Sequence, residues 1–172
     1  KRAARAEEIE EQIKLHLEDL RMKGAELRFT LQPEEIPRSY GISRVTMMVK
    51  TNPGMEFMEI GKVASGGELS RFLLALESAL KDQLDLETIV FDEVDSGVGQ
   101  RLGTVVAEKL REISSEIQTI VITHLPQIAL IADRHFVVRK EQVGSKTVSR
   151  IEELHGPSKE REIEEMSGQI PE

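Results

Sequence analysis

Cysteine and tryptophan are absent from this chain, and its aromatic residues amount to five phenylalanines and one tyrosine in 172 residues. Without cysteine there is no disulfide and no thiolate metal ligand, a composition that fits a reducing cytosol. With so few rings, the core must be built from Leu, Ile, Val and Met; a chain near this length buries roughly 70% of its unfolded surface. No run of about 18 apolar residues occurs and no signal-peptide pattern opens the chain, so nothing reads as a membrane-spanning or targeting segment. Positive charge is not in surplus either. The formal net charge is −8, which argues against a generally basic nucleic-acid-binding surface while leaving room for a local basic patch. A phosphate cradle of the form G-x-x-x-x-G-K-[ST] is also missing: the nearest spacing, Gly61 to Gly66, is followed by Gly67 instead of lysine. A nucleotide site built from these residues alone is incomplete.

What is present begins with "KRAARAEEIEEQIKLHLEDLRMKG", a highly charged stretch of helical spacing. Ala6, Ile9, Ile13, His16 and Leu20 follow one another at intervals of 3, 4, 3 and 4, the seam of a coiled coil, though a short surface helix has the same spacing. Gly24 is a stop. The start, a charged helix without methionine, reads as the middle of something longer. "ELRFTLQP" (26–33), "SRVTMMVK" (43–50) and "MEFMEIG" (55–61) read as three strands, with Asn52-Pro53-Gly54 turning between the last two. A helix is expected from about 67 to 82.

"TIVFDE" (88–93) and "TIVITH" (119–124) are short, apolar, β-branched runs, each ending in polar residues. The stretch between them has helical periodicity, so the three form a βαβ unit whose continuous apolar strands suit a buried parallel sheet. "HFVVRKE" and "KTVSRIEEL", joined at Gly144-Ser145, read as a hairpin that finishes the sheet, and "SKEREIEEMSG" as a last helix stopped by Gly168. The class is α/β.

Parallel strands joined by a right-handed crossover end on the same sheet edge, where open α/β sheets bind ligands. Asp92, Glu93 and His124 are therefore expected to converge there. Adjacent carboxylates at a strand end suit metal-assisted phosphate chemistry, one holding Mg²⁺ while the next orients or deprotonates a water. An Asp-Glu pair also ends many strands into solvent, and a histidine such as His124, taken alone, is more often a packed, hydrogen-bonded residue than a functional one. Asp95, Ser96 and Gly97 suit an ordinary turn; His16, His135 and His155 have no partner cluster and read as structural.

Ser65-Gly66-Gly67-Glu68 fits a capping box, with Ser65 capping the helix and Glu68 reaching back. A cap does not require glycine at the next two positions, where each costs about 1 kcal/mol against alanine inside a helix. Glycines at a helix start remove side chains where backbone N–H groups and the helix dipole meet an anion. A phosphate lying against this end accounts for both cap and glycines.

These residues form a set. "SGGELS" resembles the signature motif of ABC-type ATPases, "TIVFDE" their Walker B strand, "VDSG" their D-loop and "THLPQ" their switch histidine, in that family's order from residue 62 onward. The finer resemblance is to the RecN family of bacterial DNA double-strand-break repair ATPases, related to SMC proteins. It is carried by "TNPG" ahead of "KVASGGELSR", then "FDEVDSGV", "THLPQIALIADRHFVVRKE" and a late "REIEEMSG". Transporter ATPases read SGGQ-x-Q-R where this chain has Glu68 and Leu69-Ser70-Arg71, which favours the SMC side. RecN relatives tend to read G-V-S-G-R where this chain has Gly97-Val98-Gly99-Gln100-Arg101, so no role is carried onto Gly99 or Gln100.

The resemblance implies a split head: a Walker A half elsewhere in the protein, an inserted antiparallel coiled coil, and the signature and Walker B half returning at the end. Residues 1–24 would then be the end of the returning coiled-coil arm and 25–172 the C-terminal half of the head, a parallel sheet core with flanking helices and a terminal hairpin. ATP and Mg²⁺ are the implied cofactors. Asp92 would hold Mg²⁺, Glu93 would polarise the attacking water and His124 would sense the γ-phosphate. Ser65, Gly66, Gly67 and Glu68 would meet the nucleotide of a second head in a homodimer, with Asp95 at that interface. The implied partners are the Walker A half, the second head and DNA through the full-length protein, with no membrane, in a cytoplasmic, nucleoid-associated setting. The alternatives are another SMC-type or ABC ATPase head and a non-catalytic coiled-coil scaffold that keeps the fold.

Overall fold

The computed structural model describes residues 1–39, 41–63, 65–83, 86–144 and 146–168. It divides into two compact units, Lys1–Ile122 and Thr123–Glu172, which follow the chemistry of the chain differently.

In the first unit, α1 (Arg2–Asp19) has the polar surface its sequence dictates, and a narrow apolar stripe whose Ile13 and Leu17 are fully buried, as is Leu20 just beyond it. That stripe packs against β1 and α2 of the same chain. Gly24, at φ 78°, takes the left-handed conformation that turns the chain into the next strand. The strands β1 (Glu26–Arg38) and β2 (Gly41–Lys50) pair antiparallel from Glu26↔Lys50 to Pro33↔Ser43, then shift register to Arg38↔Gly41. Of the third expected strand only β3 (Met58–Glu59) pairs, against Met48 and Val49, and a 3-10 turn at Ile60–Lys62 follows it. The turn at 52–55 closes with the Met55 amide donating to Asn52 O at 3.3 Å.

The helix α2 (Gly66–Leu80) starts and stops within two residues of its expected bounds. Its apolar face, with Phe72, Leu74 and Ala75 fully buried, turns towards α1. Then β4 (Thr88–Asp92), α3 (Gln100–Ser114) and β5 (Gln118–Ile122) complete the βαβ unit. The two strands are parallel and in register from Thr88↔Gln118 to Asp92↔Ile122. Their burial, however, corrects the expectation of a sheet covered on both faces. Ile89, Phe91, Thr119 and Val121 turn inward, whereas Val90, Ile120 and Ile122 are 59%, 49% and 58% exposed. Side chains alternate across a strand, and among the described residues only one face is covered.

The second unit holds α4 (Pro126–Ile131), β6 (His135–Val143), β7 (Lys146–Leu154) and α5 (Pro157–Met166). The hairpin forms in register from His135↔Leu154 to Val143↔Lys146, but it does not finish the parallel sheet. Among the described residues it is a two-stranded sheet of its own. Of its expected turn pair, Gly144 has φ 65° and Ser145 lies outside the described residues. Bidentate bonds from Arg134 to Glu153 at 2.7 and 2.8 Å and a 2.8 Å bond from Arg139 to Glu162 lace the unit. Lys159 donates to Ala132 O at 2.6 Å, and the chain leaves α5 through Gly168 at φ 71°.

Candidate active site

The site residues of the first unit meet where α2 begins and β4 ends. Ser65 is the N-cap of α2, with extended backbone; its Oγ accepts from the Glu68 amide at 3.4 Å and its carbonyl from Leu69 at 3.0 Å. The Ser65 half of the expected cap is thus in place. Glu68 lines a cleft of about 820 Å³ together with Glu18, Asp19, Arg71 and Val105.

The two glycines lie against different neighbours. A β-carbon on Gly66 would stand 2.7 Å from Glu93 Oε2, and one on Gly67 would stand 2.7 Å from Ser96 O and 2.8 Å from Ser96 Cβ. At Gly67 the start of α2 therefore approaches the turn after β4 more closely than a β-carbon allows, which is what glycine permits, whereas at Gly66 the neighbour is the far end of the Glu93 side chain. Two further bonds fasten them. Ser70 Oγ donates to Asp92 O at 2.7 Å, and Arg71 Nη1 donates to Ser96 O at 2.9 Å. Partial burial of the Arg71 guanidinium lowers its pKa, against the pull of Glu68.

The turn itself is ordered by backbone bonds, Ser96 N to Glu93 O at 2.9 Å and Val98 N to Asp95 O at 3.0 Å. Glu93 has φ 57°, the left-handed region that a residue with a side chain enters only where its surroundings hold it. Asp92 and Glu93 are exposed, while Asp95 is 2% exposed. Gly99 is the N-cap of α3 and Gln100 its first residue, with Leu102 and Gly103 donating to Gly99 O.

The carboxylates suit a hard cation of the magnesium kind, which keeps several waters and takes one or two protein carboxylates. Asp92, exposed at the end of a hydrophobic strand, fits that sparse role; among the described residues no cluster of three or more ligating side chains forms a closed metal cage. The expected sheet edge exists as well, since Asp92 pairs with Ile122 at the common end of the two strands. His124 lies two residues past that end in the chain, in the second unit.

Two contributors escaped the reading of the sequence. Ser70 and Arg71 had served only to distinguish one family of motifs from another, yet they hold Asp92 and Ser96. Their signal was spacing: each lies four residues after one of the glycines, hence on the same side of α2. His16 meets Lys109, Nδ1 to Nζ at 2.9 Å, which fits its structural reading.

No protein-family model matches the chain. It is 37% identical over 166 residues to the DNA repair protein RecN of Rickettsia prowazekii (strain Madrid E), covering 96% of this chain and 30% of that protein. It is 42% identical over 135 residues to the DNA repair protein RecN of Bacillus subtilis (strain 168), covering 78% of this chain and 23% of that protein. Among solved structures, the Smc head domain with a coiled coil and joint from Pyrococcus yayanosii matches with a TM-score of 0.62 at 25% identity, over 94% of this chain and 29% of that one. The chain spans less than a third of the length of these curated relatives.

Proposed function

We propose, from the premise that this chain belongs to the RecN family of DNA repair proteins and has the SMC head fold, that it supplies the signature and Walker B half of an ATP-hydrolysing head in DNA break repair. The observation that carries this reading is the close seat of the glycine pair against the Asp92–Ser96 turn. It joins an anion-binding helix start to a pair of exposed carboxylates within one rigid element.

Each residue takes a role that its surroundings allow. Glu93 orients and deprotonates the attacking water. Asp92 holds Mg²⁺, which when bound supplies positive charge against the phosphate oxygens. Ser65, Gly66 and Gly67, with Glu68 completing the motif, present backbone N–H groups and a helix dipole to the γ-phosphate of a nucleotide carried by a second copy of the head. His124 senses the γ-phosphate of the bound nucleotide, by its place after β5. Asp95 is buried, so it serves the dimer interface by shaping the D-loop from within.

The phosphate cradle comes from a Walker A half of the same protein, joined through the coiled-coil arm to which α1 belongs. The bare face of β4 and β5 supports this reading, because parallel strands are stable when both faces are covered and Val90, Ile120 and Ile122 need a further layer. ATP closes the two heads and hydrolysis releases them, a population shift driven by ligand; DNA is engaged by the whole protein.

ATP turnover by this chain, alone and joined to a Walker A half through a shortened coiled coil, tests the reading, each as wild type and as Glu93→Gln. Turnover only in the joined form, lost with the substitution while ATP-bound dimers persist, is the expected result. Turnover by the chain alone would mean a complete site in these residues, and no turnover or ATP-dependent dimer in either form would favour a scaffold.

A further inference from the structure

Three hydrogen bonds to carbonyl oxygens pin the turn after β4, and two of the donors belong to α2. Ser70 Oγ holds Asp92 O at 2.7 Å, the Ser96 amide holds Glu93 O at 2.9 Å, and Arg71 Nη1 holds Ser96 O at 2.9 Å. Between the first two bonds lies Glu93, at φ 57°. The carbonyl that Ser70 grips belongs to the peptide joining Asp92 to Glu93, so its direction sets the plane from which the Glu93 backbone departs. Rotation of that peptide is the natural route by which Glu93 would relax to an ordinary negative φ, and the Ser70 bond opposes it. The side chain that leaves this turn ends beside Gly66, with Oε2 only 2.7 Å from the place a β-carbon would take.

We propose that Ser70 is a positioning residue for Glu93: its hydroxyl, by holding the Asp92 carbonyl, maintains the left-handed turn from which the Glu93 carboxylate projects. The proposal rests on the reading of Glu93 as the group that activates water. Ser70 lies four residues after Gly66, on the next turn of the same helix. The helix whose first turn meets a phosphate therefore grips, with its second, the peptide that carries the carboxylate. Arg71 holds the far end of the turn, but its guanidinium is partly desolvated, so its removal would disturb packing as well. Ser70 is short and half-buried, and its loss isolates the hydrogen bond.

In the full-length protein, Ser70→Ala, Ser70→Thr and Glu93→Gln are compared for kcat and KM of ATP hydrolysis, for ATP-dependent dimerisation by light scattering, and for thermal midpoint. A catalytic group misplaced by about 1 Å loses on the order of 10²-fold in rate. Ser70→Ala is expected to lower kcat by about that factor, with KM, dimerisation and midpoint as in wild type. Ser70→Thr, which keeps the hydroxyl, recovers most of the turnover. A wild-type kcat in Ser70→Ala, an equal loss in Ser70→Thr, or a loss accompanied by a lower midpoint or weaker ATP binding overturns the proposal. If Glu93→Gln turns over ATP like wild type, the reading of Glu93 falls and this inference with it. If Glu93→Gln is inactive and Ser70→Ala is not, only the role of Ser70 falls.

Discussion

Lys109 of α3 donates to Asp19 of α1 across 2.8 Å, and the two ends of the pair stand in different surroundings: the lysine side chain is 11% exposed, the aspartate 56%. The ammonium also meets His16 Nδ1 at 2.9 Å. The pair therefore fastens α1 to the helix that follows the turn after β4, and its two halves are not equivalent. Removing Asp19 leaves a largely buried positive charge with only an imidazole for company. Removing Lys109 leaves a carboxylate that water can reach.

Asp19→Ala is accordingly expected to cost about 2 kcal/mol of unfolding free energy, below the 3–5 kcal/mol typical of a fully buried pair because one partner is half in water. Lys109→Met, which keeps the aliphatic stem, is expected to cost less than about 1 kcal/mol. Urea denaturation of the two variants compares them directly; a larger loss for Lys109→Met would mean that the carboxylate, not the ammonium, bears the burial.

The same cluster makes stability depend on pH. Burial lowers the pKa of His16 from its ordinary 6.5; Lys109 and Lys81 add to the effect, and Asp19 and Glu112 oppose it. The folded state therefore binds fewer protons here than the unfolded chain as the pH falls through that range. Stability from this group is complete above the unfolded pKa and declines as acidification charges the imidazole of the unfolded chain. His16→Gln, whose amide oxygen can still accept from Lys109, is expected to lose less stability than wild type between about pH 7.5 and about pH 5.5. Urea midpoints at both values give the comparison, and equal losses would remove His16 as the cause.

The two glycines of α2 should respond differently to a methyl group. At Gly67 the added carbon meets the Ser96 carbonyl and β-carbon, which are backbone or next to it and cannot swing away. Gly67→Ala should destabilise the fold by about 1–3 kcal/mol, the scale of overpacking. At Gly66 the obstacle is the far end of the Glu93 side chain, which can rotate. Gly66→Ala should leave the thermal midpoint nearly unchanged while lowering ATP turnover in the full-length protein, because the displaced group is the one proposed to activate water. Equal midpoints for the two variants would show that the turn after β4 yields as readily as a side chain.

Much of this architecture was legible in the chain because the signals are local. Strand-forming composition and turn residues marked the first strands, the Ser65 cap and glycine pair marked the start of α2 within one residue, and the apolar runs at 88–93 and 119–124 marked a parallel pair. β3 was read too long, since "MEFMEIG" carries strand composition over seven residues but finds ladder partners on β2 for only Met58 and Glu59. The expected seam of α1 ran through Ala6, Ile9, Ile13, His16 and Leu20. Leu17, fully buried and outside that seam, shows that the helix uses a wider stripe where it packs on a sheet and a helix of its own chain.

By itself the sequence determined most of the helices and strands (though not α4), where the carboxylates stand relative to the end of β4, and that a phosphate cradle is missing. Each of these follows from neighbouring residues: side-chain period, backbone freedom and caps act over a few positions. Only the tertiary structure decided that Ser70 holds Asp92, that Lys109 holds Asp19, that the hairpin pairs with itself, and that Val90, Ile120 and Ile122 form an uncovered face. Those outcomes depend on which distant surfaces meet, and an apolar strand reads the same whether one of its faces is covered or both.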